Sequence, residues 1–427
     1  MTRQRLATAA MVLLGVAGAC LGEDSHEHDA AGHAASHLFA RDTITDGWFG
    51  LGEKLQEKGI TLSLSLTQIY QLNLAGGMST HRRSGRWAGS YDLELELDLE
   101  KIINLPGGSI YISAEGSWSD GLDASSVGSV FGVNADAAGG RSIDVTQFYY
   151  EQSLLGDKLR VRVGKLDLSG GFECRGCPVA FDGNAYANDQ TGQFLNGALV
   201  NNPTIPFPGL GMGAVIYVEP MEWLYAAVGT ADAQADGRET GFMTAFHDAD
   251  YFFSIFEMGV VPELPSAQGP LVGTYRVGFW HDPQPKDPHN GSNAKRDDVG
   301  FYLSFDQAVW KENADADDGQ GVGLFARYGF AHSDVNEVKC FWSVGGQYQG
   351  VIPTRDDDVL ALGVAQGKLV EAAGYTKHHE TVMELYYNAA VTPWLNIGPS
   401  VQYIWNPGGD TSVSDAVVVG VRAQMSF

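Results

Sequence analysis

Hydrophobic and polar positions alternate without a break from Tyr91 to Glu100, with Tyr91, Leu93, Leu95, Leu97 and Leu99 against Asp92, Glu94, Glu96, Asp98 and Glu100. Successive side chains of a strand point to opposite faces, so this segment predicts a strand lying between an apolar medium and water. Ala416 to Phe427 repeats the pattern, with Val417, Val419, Val421, Ala423, Met425 and Phe427 on one face and Gly420, Arg422, Gln424 and Ser426 on the other. A chain that stops on an aromatic residue inside a strand fits a closed barrel in a membrane, where an unpaired edge would leave backbone polar groups without water.

Strands continue through almost the whole chain. Ile60, Leu62, Leu64, Leu66 and Tyr70 alternate with polar residues, as do Ile110, Ile112, Ala114 and Trp118. Further candidates lie near 143–152, 158–167, 212–219, 222–231, 250–261, 271–281, 298–309, 321–331, 337–348, 357–366, 380–391 and 394–405. Together they predict an all-β, sixteen-stranded antiparallel transmembrane outer-membrane β-barrel over 60–427, with strands of about ten residues, the length a tilted membrane strand needs. Connections alternate long and short: 75–90, 119–142, 168–211, 232–249 and 282–297 are long, whereas Leu105–Gly108, Glu219–Met221 and Thr392–Pro393 are short. Ser333–Asn336 and the acidic loop after Trp310 break that alternation. Tyr70, Trp118, Tyr217, Trp223, Trp310, Tyr348, Trp394, Tyr403 and Trp405 fall at strand ends, where an aromatic girdle is expected.

Ahead of the barrel, residues 46–59 (DGWFGLGEKLQEKG) predict one short N-terminal amphipathic helix, capped by Asp46 and stopped by Gly59. Residues 20–45 carry His26, His28, His33 and His37 without an apolar period, which predicts a disordered His-rich tether and not a closed metal site. Residues 1–19, with Arg3, Arg5, an apolar run and Ala17-Gly18-Ala19, read as a signal peptide. Cys20 follows, but Ala17 stands where a lipobox carries Leu, so its lipidation stays open. A net charge of -25 excludes nucleic acid as a partner and leaves outer-membrane lipid, sugars and small solutes. Monomer and homo-oligomer both stay open.

If one strand face meets lipid, the other lines a lumen. Parity then assigns Glu94, Glu96, Asp98 and Glu115 to the pore, together with Arg160, Arg162, Arg276, Arg327 and Arg422 from other parts of the circumference. Opposed charge rows would set a transverse field, and Arg offers planar donors to paired hydroxyls. Tyr111, Phe148, Tyr150, Trp280, Tyr302 and Gln402 share that parity and would supply aromatic and amide contacts. In the long 168–211 connection, Phe194, Asn196, Asn201 and Asn202 are candidates for a constriction loop. Cys174 and Cys177 are spaced for a tight disulfide, a redox pair or a metal pair; an oxidising compartment favours the disulfide. Cys340 shares the apolar parity of Val338, Trp342 and Val344, which predicts an inert lipid-facing thiol. No catalytic motif or cofactor loop occurs, and Gly209–Gly213 enters a strand where a nucleotide loop would open a helix.

Three separated blocks resemble the carbohydrate-selective porins of the OprB type: DGWFGLGEKLQEKGITLSLSLTQ at 46–68, LRVRVGKLD at 159–167 with NDQTGQFLNGALVNNPTIPFPGLG at 188–211, and TPWLNIGPSVQYIWNPGG at 392–409. The resemblance implies a sixteen-stranded outer-membrane barrel that passes sugars by diffusion through a loop-narrowed eyelet. The insert FECRGCP at 172–178 departs from that pattern. A general porin without sugar selectivity is the nearest alternative; a barrel hydrolase and a secreted β-sandwich are more distant ones.

Overall fold

The computed structural model describes residues 39–82, 84–169, 181–235, 250–315 and 318–427. Its strands are β1 Ile60–Gly77, β2 Gly85–Asp98, β3 Gly108–Trp118, β4 Arg141–Leu154, β5 Leu159–Leu166, β6 Gly211–Met221, β7 Leu224–Asp232 and β8 Phe252–Val260. After the two-residue β9 Glu263–Leu264 come β10 Leu271–Asp282, β11 Asp298–Lys311, β12 Gly321–Ala331, β13 Val338–Gln349, β14 Val359–Leu369, β15 His379–Thr392, β16 Leu395–Trp405 and β17 Ser414–Ser426. The sixteen long strands are those the alternation predicts. Each pairs antiparallel with its neighbours, and β1 pairs with β17 from Ser65↔Ser426 to Gly77↔Ser414, which closes the barrel. Closure leaves no edge, and Phe427 donates its amide to the Leu64 carbonyl at 2.9 Å.

The outward face is oily, with Val228, Leu324, Val344, Leu362 and Val421 all exposed, as lipid contact requires. The two irregular connections belong to the protein: 332–337 is a tight hairpin closed by the Asn336 amide on the His332 carbonyl, while 312–320 is long at the opposite end. Among the girdle candidates, Trp223 and Trp310 are exposed, but Tyr217 points inward and stacks on Tyr225 with centroids 5.7 Å apart. Trp394 is buried as well. Val338, expected on the lipid face, lies in the inner core, because a register shift before Cys340 turns it inward.

The segment before the barrel departs from the expected single helix over 46–59. Gly47, Trp48 and Phe49 adopt left-handed φ of 63°, 56° and 60°, and a right-handed turn follows only at Gly52–Gln56. Three glycines among the first seven residues lower the cost of that reversal. Thr45, not Asp46, supplies the cap through its hydroxyl to the Trp48 amide, and the Trp48 indole donates to the Leu62 carbonyl at 2.8 Å, fastening the segment to β1.

The barrel encloses a core made by its own loops. Trp280, Phe253, Tyr302 and Tyr225 pack on Phe181 and Ile205, while Phe325, Phe341 and Tyr386 pack on Phe194 and Leu199. Val382, Ile404, Ala416 and Val418 pack on Leu122, Val127 and Val133. The 119–140 connection and the 181–210 part of the next long one therefore fold into the lumen and bury apolar wall residues. Glycine makes room for them: a Cβ on Gly363 would meet Phe194 and Leu199 at 2.9 Å.

Candidate permeation site

A loop packed inside a barrel brings backbone groups that no sheet or helix satisfies, and these need partners from the wall. Glu384 of β15 accepts the Leu195 and Asn196 amides at 2.9 and 2.8 Å. Asn196 caps the turn Gly197–Val200 through the Ala198 amide and donates its side-chain amide to Gln402 at 3.1 Å. Arg422 of β17 donates to the carbonyls of Gln190 (3.0 Å) and Gln193 (2.9 Å). Arg327 of β12 donates to the Val200 carbonyl at 3.1 Å and to Asn188 Oδ1 at 3.0 Å. Gln71 and Gln402 both donate to the Val133 carbonyl, which ties down the 119–140 loop, and Glu380 accepts the Val130 amide at 2.9 Å. Charge-assisted bonds in a water-poor interior are the strong ones, and Arg presents its donors in a fixed fork.

Several residues predicted to line the pore are taken up by this anchoring or by bonds within the wall. Arg276 is fully buried and bonded to Asp306 at 2.6 Å. Arg327 is buried under the loop, with Asp182 4.0 Å away. Trp280 and Tyr302 are only 2% and 0% exposed and form part of the core, so neither offers an open face to a solute. Asp98 ends β2 and caps the turn Leu99–Ile103 by accepting the Glu100 and Lys101 amides. Leu99 and Glu100 consequently leave the sheet. Phe194 packs edge-on against Tyr386 at 5.0 Å, and Asn202 is buried in its own turn with Thr204. Of the predicted loop residues, Asn201 alone stays exposed, facing a cavity of about 1130 Å³ that Asn188, Gln190, Gln193 and Gln347 also line. Cys174 and Cys177 lie outside the described residues.

The open sector runs along β2 to β5. Glu94, Glu96 and Glu115 stand on its wall, and the Tyr111 hydroxyl donates to Glu94 at 2.8 Å. Tyr111 stacks on Tyr149 with centroids 5.1 Å apart. The Arg162 guanidinium lies 4.1 Å above the Tyr149 ring and bonds Glu151 at 2.7 Å, with Arg160 3.8 Å from the same carboxylate. Phe148 and Tyr150, expected inside, are exposed on the outer face, because a bulge between Ser113↔Gln147 and Ala114↔Val145 shifts the parity of β4 and turns Tyr149 inward. Acid and base rows are thus neighbours on one sector, and the arginines opposite are occupied by the loop. This replaces the expected field between opposed walls.

The loop tip narrows this sector. Gln190 and Thr191 meet Ser90, Asp92, Glu115 and Asp136 around a space of about 90 Å³. Asp136, in the 119–140 loop, accepts the Ser90 hydroxyl at 2.8 Å. Burial pushes its carboxyl up to about 7, with Asp92 adding and Arg422 opposing. Asp182 is pushed up to about 7 in the same way, chiefly by burial and against the pull of Arg327. Wall carboxylates such as Glu384 carry the inward parity and could be assigned to the lumen from sequence; nothing in the pattern marks them as loop anchors. Among the described residues no group of three His, Cys, Asp or Glu side chains is placed to hold a metal ion.

Comparison with known proteins adds three findings. Residues 82–427 match the model of the carbohydrate-selective porin, OprB family. The chain is 24% identical over 438 residues to Porin B of Pseudomonas aeruginosa, covering 93% of this chain and 94% of that one. It is also 22% identical over 423 residues to the putative porin QuiX of Acinetobacter baylyi, covering 91% and 93%. Among solved structures, the high-pH structure of Pseudomonas putida OprB matches at a TM-score of 0.76 and 20% identity, covering 91% of this chain and 99% of that chain; this likeness concerns the fold.

Proposed function

The chain belongs to the carbohydrate-selective porin family, OprB, and from that premise we propose that it is a passive outer-membrane channel for carbohydrates and other small uncharged solutes, exported by the signal peptide at 1–19. The observation that carries this reading is the Tyr111–Tyr149 stack, flanked by Glu94 on one side and Arg162 on the other. Tyr149 is itself buried between Tyr111 and Arg162, so the half-buried Tyr111 ring is the aromatic surface left to a solute; with carboxylate acceptors and planar donors nearby it suits a sugar, whose ring has apolar faces and an equatorial belt of hydroxyls. Conduction also requires release, so binding must be weak and distributed. The mixed wall meets that need, because Glu151 already engages both arginines and a passing hydroxyl exchanges one bond for another.

Nothing in the pathway calls for an energy source or a gate. On the other side, Asn188, Gln190, Gln193 and Asn201 of the loop add amides to a cavity that Asp167, Asp189 and Lys311 also line, so the mixed polar surface continues there. The test is reconstitution of the purified chain in planar bilayers and liposomes. Neutral sugars should interrupt ion current and enter liposomes faster than charged solutes of equal size. Equal entry without current block would make the protein a general diffusion porin.

A further inference from the structure

We propose that the outward face of β12 to β15, at the long-loop end, binds the phosphate headgroup of an outer-leaflet lipid, with an acyl chain seated in the apolar groove beside it. The proposal rests on the outer-membrane reading above. At that end Lys339, Lys368 and His378 line an open groove of about 620 Å³, and the Glu371 carboxylate lines it too. The pairing Cys340↔Lys368↔His379 places Lys368 on the outward parity, between inward Gly367 and Leu369. The register shift between Val338 and Cys340 leaves Lys339 free of the alternation, and it lines the same groove.

Among the described residues, the side chains of Lys339, Lys368 and His378 make no hydrogen bond or ion pair. Nearby cations behave differently: Lys286 bonds Asp282 and Asp298, and Lys295 bonds Asp334. With 52 acidic residues against 27 basic ones, leaving two lysines together and unmatched on the membrane-facing side calls for an anion from outside the chain. At headgroup height that anion is a lipid phosphate.

The adjoining surface fits the rest of the lipid. An apolar groove of about 500 Å³ is lined by Val228, Phe256, Phe279, Phe301 and Phe330 and ends at His332. The next residue, Ser333, lines the basic groove, so the two grooves are neighbours at the β12–β13 turn. A headgroup on the lysines therefore has its chain directed along a ready-made apolar trough.

Native mass spectrometry of the full chain in detergent, with added lipid A or its dephosphorylated form, tests this. Wild type should retain lipid A, and K339Q/K368Q should retain it about thirtyfold more weakly, at the usual contribution of a lysine near a membrane surface. Dephosphorylated lipid A should be retained as weakly by wild type as lipid A is by the double variant, and K339R/K368R should bind like wild type. Faster gel mobility before heating shows that each variant is folded. Equal retention by K339Q/K368Q, equal retention of the dephosphorylated lipid, or displacement by inorganic phosphate would overturn the proposal, as would a dimer mass without lipid. Recovery of wild type without detergent would instead defeat the outer-membrane reading itself.

Discussion

Glu384 on β15 and Asn196 in the β5–β6 loop stand 188 positions apart, and a carboxylate oxygen of the first accepts the backbone amide of the second at 2.8 Å. Together with the Leu195 amide on the other oxygen, this makes a wall carboxylate an anchor of the in-folded loop. On the channel reading proposed above, the width of the path depends on how firmly wall side chains hold loop backbone. The same charges, read as a strand pattern, look like ordinary pore lining.

Replacing Glu384 with Ala strands two buried amides, at a cost of about 1–3 kcal/mol each. Channels of Glu384→Ala should show larger, noisier conductance and weaker sugar block, while unheated gel mobility still reports a closed barrel. Glu384→Gln retains one acceptor and should fall between the two. Wild-type conductance in Glu384→Ala would mean that Arg327, Arg422 and the apolar contacts of Phe194 hold the loop without it.

Asp136 gives the loops a pH dependence. Its carboxyl titrates near 7 in the folded loop against about 4 when released. The anchored loop therefore binds a proton between those values that the free loop does not. Anchorage is strongest in acid and is lost as pH rises through about 7. Asp182 shifts in the same sense. Conductance noise should increase from about pH 5 to about pH 8, and Asp136→Asn should flatten part of the rise; identical profiles would remove Asp136 from the account.

Arg160 and Arg162 both serve Glu151, and Arg162 also covers the Tyr149 ring. Replacing both with Ala leaves Glu151 unmatched beside Glu94, Glu96 and Glu115, so the channel should turn toward cations. Loss of the guanidinium over the ring, worth about 0.5–1 kcal/mol, should weaken sugar block a few-fold. Reversal potentials and block measured on the same reconstituted channels check both effects. Retention of wild-type selectivity would shift the eyelet to the loop amides.

Val419 and Gln424 lie on opposite faces of β17, and the Gln424 side chain reaches Thr191 inside the lumen at 3.2 Å. Arg at a lipid-facing midplane position costs about 2–4 kcal/mol, whereas a lumen accepts charge. Val419→Arg should lower the yield of heat-modifiable barrel well below that of Gln424→Arg. Comparable yields would contradict the facing of the final strand.

Much of the fold was legible in the sequence, because the strand period is local. Leu93, Leu95 and Leu97 against Glu94 and Glu96 specify a two-faced strand without reference to any other part of the chain, and sixteen such segments leave few arrangements besides a closed barrel. The misses arose where a local device overrode the period: the bulge that turned Tyr149 inward, the cap at Asp98, and the glycines that reversed the chain at Gly47.

Facing, then, was decided by the sequence itself, because alternation and the cost of polar groups in lipid act residue by residue. Which lumen residues remain open to a solute was decided only by the tertiary structure. Parity gives Arg160, Arg276 and Arg327 the same inward direction, but Arg327 is covered by the loop it anchors at Val200 and Arg276 is buried against Asp306 of β11. That cover depends on contacts across the barrel between residues far apart in the chain, such as Glu384 with Asn196 and Gln71 with Val133. No local period encodes them; they exist only after closure has brought the two walls around the loop.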